Sequence, residues 1–278
     1  MPSDAESSRC VRRVARWAPR WLVFFSKSHA ESRSRVPLTS AFPRPVGADS
    51  HETPIRHQSP RVSTVHIVWD WNGTLLDDLT QVVDAVNVTL GEIGEPSITI
   101  REYGAHYQRP VRRFYESLLG RVVPDDEWRL IDDVFHVAYR DLLPKMRLAP
   151  DAIEALDGVR RAGHTQSLLS MLWHDDLVTM VERFDIGSFM NRVEGLRGER
   201  GARKQVFLEG HLQALGDSVD VGGVLMIGDA LDDVEAAVAV GTRCVLYDRG
   251  TFPQERIRAT GVATASTLVG ALEVGGAI

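Results

Sequence analysis

Residues 68–78 of the chain read Val68-Trp69-Asp70-Trp71-Asn72-Gly73-Thr74-Leu75-Leu76-Asp77-Asp78. The apolar run from Val65 to Trp69 predicts a buried strand, and Gly73-Thr74 predicts the turn that follows it. Asp70 is therefore expected at the carboxyl end of a strand, where open α/β sheets usually bind their ligands.

Three later segments also place a polar side chain at a predicted strand or helix boundary. Ser170 ends a short apolar run, Lys204 begins a helix, and Asp229 ends a second apolar run with Asp233 close behind. Helices separate these strands, which predicts a parallel sheet with right-handed crossovers. Because the carboxyl ends of parallel strands share one edge, the four segments are expected to meet there.

These residue types suit phosphoryl transfer. A carboxylate such as Asp70 can attack phosphorus and form a covalent aspartyl-phosphate. Asp70 and Asp229 together offer the hard oxygen ligands that Mg²⁺ prefers. A serine hydroxyl and a lysine ammonium can hold the phosphate oxygens. Each motif alone is weak, since a serine at a strand end is usually a helix cap and a lone lysine is usually a solvated charge.

The order of these residues resembles the motifs of the haloacid dehalogenase-like (HAD) phosphohydrolases, over residues 65 to about 275. Gly228-Asp229 followed by Asp232-Asp233 is similar to the last motif of that family. The resemblance implies that Asp70 is the nucleophile and a Mg²⁺ ligand, and that the backbone carbonyl of Asn72 also binds the metal. It further implies the acidic metal-site residues Asp229 and Asp233 and the phosphate-binding residues Ser170 and Lys204.

The predicted fold class is α/β, with a Rossmann-like parallel sheet core and an inserted α-helical cap subdomain. Residues 63–78 and 148–278 are assigned to the core, and residues 79–147 to the cap, because helical periodicity starts directly after the first strand. The insertion resembles the helical cap of the phosphoglycolate phosphatase-like branch of the family. In the cap, Arg109 either reaches a second anionic group of a substrate or is an ordinary surface arginine.

Asn72 departs from the family pattern, in which the first motif is normally Asp-x-Asp-Gly-Thr. The missing carboxylate is the one that the family uses as general acid and base, a role typically worth ~10²–10⁴-fold in rate. Three alternatives remain open. Another group, from the cap or from Asp77 or Asp78, replaces the acid; the leaving group needs little protonation; or the protein is a phosphate-binding module with little turnover. The first expectation is a slow or specialised Mg²⁺-dependent hydrolase of a small phosphorylated metabolite, with Asp70 and Asn72 at the catalytic positions.

Composition limits the remaining possibilities. Residues 1–65 hold 11 Lys and Arg against 5 Asp and Glu, whereas the other 213 residues hold 21 against 33. Residues 1–62 are therefore expected to be a disordered basic extension, either a targeting segment or a tail without function. The acidic remainder argues against a nucleic-acid partner. No apolar stretch approaches the ~20 residues of a membrane span, and two distant cysteines favour a reducing, cytoplasmic location. No pattern in the sequence sets an oligomeric state.

Overall fold

The computed structural model describes residues 64–198, 203–216 and 219–278, so the predicted disorder of residues 1–62 lies outside the described residues. Alternating strands and helices build an α/β core. The strands are β1 His66–Trp69, β2 Leu76–Asp77, β3 Arg147–Leu148, β4 Thr165–Trp173, β5 Val193–Leu196, β6 Val224–Gly228, β7 Arg243–Tyr247 and β8 Ala263–Ala265. The helices are α1 Leu79–Glu92, α2 Ile100–His106, α3 Val111–Leu119, α4 Asp125–Leu142, α5 Ala152–Arg161, α6 His174–Arg183, α7 Lys204–Leu215, α8 Leu231–Val240, α9 Gln254–Ala259 and α10 Leu268–Val274.

A six-stranded sheet carries the fold, with strand order β5-β4-β1-β6-β7-β8 and every neighbouring pair parallel. β1 lies centrally, with Trp69 level with Leu168 of β4 on one side and with Ile227 of β6 on the other. The predicted α/β class and parallel sheet are confirmed. Strand β1 brings its carboxyl end next to that of β6, which is the geometry that the predicted site requires.

Both faces of the sheet are covered by helices, as a parallel sheet requires. Ile67 and Trp69 point to one face and pack in a cluster with Leu156 of α5 and Leu272 of α10. Val68 points to the other face, into a second cluster that contains Leu208 of α7 and Ala236 of α8. All four residues of β1 are buried, which explains why this strand reads as a continuous apolar run rather than an alternating one.

Helices α1–α4 form a helical insertion between β2 and β3. Its own apolar cluster includes Val86 and Leu90 of α1, Phe114 of α3 and Ile131 of α4. At its base, β2 and β3 pair in an antiparallel two-stranded sheet, with Leu76 level with Leu148. The chain therefore enters and leaves the insertion at one place, beside the carboxyl end of β1.

Three local predictions differ from the structure. Strand β4 continues beyond Ser170 to Trp173, with a register irregularity between Leu169 and Trp173. The apolar pattern also predicts a short strand over Phe189–Val193, but the strand lies at β5 and residues 187–189 form a 3₁₀ turn. The polar composition of residues 103–110 predicts an irregular segment in the insertion, but it is partly helical, because α2 runs to His106. Within the described residues, no helix combines the length and apolarity needed to cross a membrane.

Candidate active site

Asp70 and Asp229 lie side by side at the carboxyl edge of the sheet. Asp70 follows β1, and its backbone N–H donates to the carbonyl of Ile227 at 2.9 Å, which extends the pairing of β1 with β6 by one residue. Asp229 directly follows β6. The convergence expected from the sequence is therefore present for these two carboxylates, although 159 positions separate them along the chain.

Asp70, Asp229 and Asp233 form an acidic cluster. One carboxylate oxygen from each lies within 4.8 Å of the other two. Asp233 belongs to the first turn of α8, where its Oδ2 accepts the Ala230 N–H at 3.0 Å. Burial raises the pKa of Asp233 to about 7, although Lys204 opposes the shift. Burial and the charges of Asp70 and Asp233 likewise raise the pKa of Asp229.

The donor set of this cluster fits a hard divalent cation. Three convergent carboxylate oxygens are ligands that Mg²⁺ accepts, and burial together with their mutual repulsion raises the pKa values of Asp229 and Asp233, a strain that a bound cation would relieve. Asp70, Asp229 and Asp233, three of the four residues predicted as metal ligands, thus meet at one point. The fourth, Asn72, was predicted to contribute only its backbone carbonyl.

Lys204, the first residue of α7, is buried against the same cluster. Its ammonium contacts carboxylate oxygens of Asp70 and Asp233. Burial alone would lower the pKa of Lys204, but the two carboxylates raise it above its ordinary value, so the side chain is charged. The neighbouring Arg203 is exposed. Lys204 therefore lines the pocket in a position to screen both carboxylates.

Ser170 lies within β4 rather than at its end. Its hydroxyl accepts the Leu172 N–H at 3.0 Å and donates to Oδ1 of Asn72 at 3.4 Å. The irregular register of β4 allows this short-range backbone contact. Ser170 thus reaches the catalytic loop, residues 70–78, through Asn72.

The Asn72 side chain has partners that the sequence does not predict. Its Nδ2 donates to Oδ2 of Asp78 at 2.7 Å and to the Tyr139 hydroxyl at 2.5 Å. The Tyr139 hydroxyl itself donates to Oδ2 of Asp78 at 2.6 Å, and the Gly73 N–H donates to Oδ1 of Asp78 at 2.7 Å. Burial raises the pKa of Asp78, and the three hydrogen bonds that Asp78 accepts, from Asn72, Tyr139 and Gly73, oppose that shift.

Other candidates fall outside this arrangement. Asp77 pairs with Arg249 at 2.6 Å and does not line the pocket. His174, a possible rim residue, begins α6, and its Nδ1 accepts the Gly195 N–H at 3.2 Å. Trp69 and Trp71 are both fully buried in the core cluster, and neither lines the pocket.

The helical insertion forms the roof of a pocket over the acidic cluster, with a cavity volume of about 80 Å³. Arg109, between α2 and α3, lines this pocket. Its Nε lies 3.2 Å from Oδ2 of Asp232 and 3.1 Å from the Tyr107 hydroxyl. Arg109 therefore lines the pocket with its guanidinium paired to Asp232 and Tyr107, an arrangement that fits both of its predicted interpretations. The other lining residues of the insertion include Leu79, Val82, Tyr103 and Tyr107.

Comparison with known proteins identifies the family. A sequence profile described as haloacid dehalogenase-like hydrolase matches residues 67–247. A phosphoglycolate phosphatase from Pseudomonas fluorescens is 27% identical over 192 residues, which cover 66% of this chain and 69% of that protein. A phosphoglycolate phosphatase from Synechococcus elongatus is also 27% identical, over 66% of this chain and 84% of that protein.

Solved structures agree on the fold. A haloacid dehalogenase-like family hydrolase from Streptococcus pneumoniae superposes with a TM-score of 0.62 at 18% identity, covering 76% of this chain and 97% of that one. A hydrolase from Pseudomonas syringae gives a TM-score of 0.59 at 18% identity, covering 75% and 96%. With the profile match over more than half of its length, the chain belongs to the haloacid dehalogenase-like hydrolases, as a phosphatase similar to the phosphoglycolate phosphatase branch.

Proposed function

We propose that the protein hydrolyses a small phosphorylated metabolite in a Mg²⁺-dependent reaction, with Asp70 as the nucleophile. The observation that carries the proposal is the convergence of Asp70, Asp229, Asp233 and Lys204 in one pocket at the carboxyl edge of the sheet. The pocket's limited volume suits a small metabolite. Residues 79–147 act in this proposal as the cap that covers the substrate.

The reaction follows from the positions of these groups. A carboxylate oxygen of Asp70 attacks phosphorus, the bond from phosphorus to the ester oxygen breaks, and an aspartyl-phosphate forms, while the alcohol departs with a proton taken from solvent. Water then hydrolyses this intermediate, which releases inorganic phosphate and regenerates the Asp70 carboxylate. Lys204 offsets the charge of the nucleophile and of the phosphate oxygens.

A divalent cation is expected between the same carboxylates. Asp70, Asp229 and Asp233 would hold Mg²⁺ together with the backbone carbonyl of Asn72. When bound, the ion supplies positive charge that reduces the repulsion between an anionic nucleophile and an anionic substrate.

Arg109 supports a substrate with two anionic ends. Its guanidinium lines the pocket and is shared between Asp232 and Tyr107. A carboxylate on the substrate would compete with Asp232 for this guanidinium, as arginine binds carboxylates well. Phosphoglycolate, the substrate named by the relatives, has this form.

Asn72 favours a second candidate function, a phosphate-binding or regulatory module with weak turnover. An amide at this position cannot protonate the leaving oxygen or activate water. The hydrolase therefore has to be slow, or specialised for esters whose leaving group needs little protonation. The Mg²⁺ and phosphate contacts of the pocket do not depend on the Asn72 side chain, so ligand binding is expected under both functions.

Phosphate release from a panel of monoesters, with and without a carboxylate at the far end, tests the proposal. We expect Mg²⁺-dependent turnover, highest on the carboxylate-bearing esters, and a loss of at least ~10²-fold in Asp70→Asn, because the covalent step is removed. The matched control is Asp126→Asn, an exposed carboxylate in the first turn of α4. Activity in Asp70→Asn or in excess chelator would contradict the assignment. Without turnover, stabilisation against heating by phosphate plus Mg²⁺ would favour the binding module.

A further inference from the structure

Asn72, Asp78 and Tyr139 form a closed hydrogen-bonded triangle beside the nucleophile. The three sides are 2.7 Å from Asn72 Nδ2 to Asp78 Oδ2, 2.5 Å from Asn72 Nδ2 to the Tyr139 oxygen, and 2.6 Å from the Tyr139 oxygen to Asp78 Oδ2. Asp78 and Tyr139 are at most 5% exposed, so water does not satisfy these groups instead.

The hydrogen atoms available in the triangle require a hydrogen-bond donor at position 72. The two amide hydrogens of Asn72 go to Asp78 and to the Tyr139 oxygen, and the phenolic hydrogen of Tyr139 goes to Asp78. The second oxygen of Asp78 accepts the Gly73 N–H at 2.7 Å. A carboxylate at position 72 would place its oxygen against that of Asp78 with no proton between them. Two buried carboxylates in contact repel each other strongly.

The triangle joins three parts of the molecule. Asn72 lies in the catalytic loop two residues after Asp70, Asp78 immediately precedes α1, and Tyr139 lies on α4. The Tyr139 ring stacks on Phe135 with 5.8 Å between ring centroids and 17° between planes, which fixes its hydroxyl. The first and last helices of the insertion therefore both hold the loop that carries the nucleophile.

We propose that Asp78 and Tyr139 are positioning residues of the active site and that Asn72 serves as the hydrogen-bond donor this pair requires. The amide at position 72 then does not act as an acid. It links the insertion to the catalytic loop instead. The effect on turnover rests on the proposed function, whereas the coupling between the three side chains does not.

The chain offers a charge-swap variant that preserves every contact. In Asn72→Asp combined with Asp78→Asn, the new amide at position 78 keeps its oxygen toward the Gly73 N–H and turns its nitrogen toward the new carboxylate at position 72. The Tyr139 hydroxyl can donate to that carboxylate. In Asp78→Asn alone, Asn72 can rotate its amide by half a turn and offer its oxygen instead, so this single change is expected to be the milder one.

Melting temperature and steady-state kinetics of wild type, the two single variants and the double variant test the coupling. We expect Asn72→Asp alone to lower both the melting temperature and kcat, and the addition of Asp78→Asn to raise both again. If Asn72→Asp alone fails to fold and the double variant folds, the coupling between positions 72 and 78 is supported in the same way. The proposal is overturned if Asn72→Asp alone melts at or above the wild-type temperature, or if Asp78→Asn shifts the melting temperature equally in both backgrounds.

Tyr139→Phe separates positioning from general stability, because it removes only the hydroxyl and keeps the stacked ring. We expect kcat to fall by about 10-fold with KM changed much less, since a small misplacement of reacting groups is costly. The control is Tyr115→Phe, a buried tyrosine of the insertion that does not line the pocket. A wild-type kcat in Tyr139→Phe overturns the positioning role. Absence of turnover in wild type would refute the proposed function, while the melting-temperature cycle would still decide the triangle.

Discussion

Gly73 meets two requirements that exclude a side chain. Its φ of +76° lies in the left-handed region, where an L-residue costs roughly 1–2 kcal/mol. In addition, a Cβ at this position would lie 2.2 Å from Oδ2 of Asp229. The catalytic loop therefore passes so close to the second carboxylate that only a hydrogen atom fits between them. This closeness brings Asp70 and Asp229 within reach of one cation.

Gly73→Ala is expected to abolish Mg²⁺-dependent turnover as well as to destabilise the protein, because the methyl group must displace Asp229. Gly94→Ala is the matched control: Gly94 has a φ of +79°, and a Cβ there meets nothing within 4 Å. Both variants bear the left-handed strain, of about 1–2 kcal/mol, but only Gly73→Ala should lose activity. Thermal melting and phosphate release measure the two effects. Equal kcat in the two variants would show that the Asp229 contact is unimportant.

At the scale of elements, a buried polar chain ties β1, β4, β5 and α7 together. Ser167 on β4 lies 2.8 Å from Nε2 of His66 on β1 and 2.8 Å from Nε2 of His211 on α7. Nδ1 of His211 lies 2.9 Å from Glu194 on β5, and Nδ1 of His66 lies 2.7 Å from Thr165. With both imidazoles neutral, one arrangement of protons gives every donor an acceptor.

Both histidines are held neutral in the folded protein. Burial, with a smaller contribution from His211, lowers the pKa of His66 from 6.5 to about 4. Burial also lowers the pKa of His211, against the opposing effect of Glu194. Between pH 4 and 6.5 the unfolded chain therefore binds protons that the folded chain excludes. These histidines contribute stability above pH 6.5 that is lost as the pH falls toward 4.

We expect the urea midpoint of wild type to fall more steeply than that of His66→Gln as the pH is lowered from 6.5 to 4. The quantity to measure is the difference in urea midpoint between the two proteins, because Asp233, with its pKa raised to about 7, affects stability in the opposite direction in both. The stability that Asp233 contributes at low pH is lost as the pH rises through about 7. Parallel curves for wild type and His66→Gln would show that His66 is not held neutral by the fold.

Elements that depend on local pattern were predictable, and those that depend on distant pairing were not. Periodicity and glycine stops predict a helix over Lys204–Leu215 and a strand over Arg243–Tyr247, and α7 and β7 match these ranges residue for residue. The position of β5 is set by its pairing with β4, in which Val193 is level with Leu168. Helix α2 did have a local signal, the capping box of Thr99 and Glu102, which the sequence analysis did not use.

For the whole molecule, the difference between local pattern and distant pairing also separates the charged residues of the site from the residues that hold them in place. Asp70, Asp229, Asp233 and Lys204 were predictable because a parallel sheet brings strand ends to one edge. The contact of Tyr139 with Asp78 spans 61 positions and depends on how α4 packs, so helical periodicity could not specify it. The sequence therefore predicts the reacting groups better than the residues that hold them.

A second set of contacts holds the helical insertion against the core on the far side of the pocket. Arg256 of α9 donates to the carbonyl of Gly104 at 3.1 Å and to that of Tyr107 at 2.8 Å. The Tyr107 ring lies 5.8 Å from that of Phe252. A Cβ on Gly104 would lie 1.7 Å from the Thr251 carbonyl oxygen, so the two backbones are in direct contact. Together with the triangle at Asn72, these contacts close the pocket from two sides.

Arg256→Met tests whether this closure contributes to substrate binding. The variant keeps most of the aliphatic length of the side chain but removes the donors to Gly104 and Tyr107, and hydrogen bonds from a charged group are each worth ~1.5–3 kcal/mol. We expect KM to rise by about 10-fold, which corresponds to ~1.4 kcal/mol, with a smaller change in kcat, because the contacts lie on the roof and not on the reacting groups. Arg258→Met, an exposed arginine on the same helix, is the control. An unchanged KM in Arg256→Met would show that the closed pocket does not depend on α9, and would leave the Asn72 triangle as the main link between the insertion and the catalytic loop.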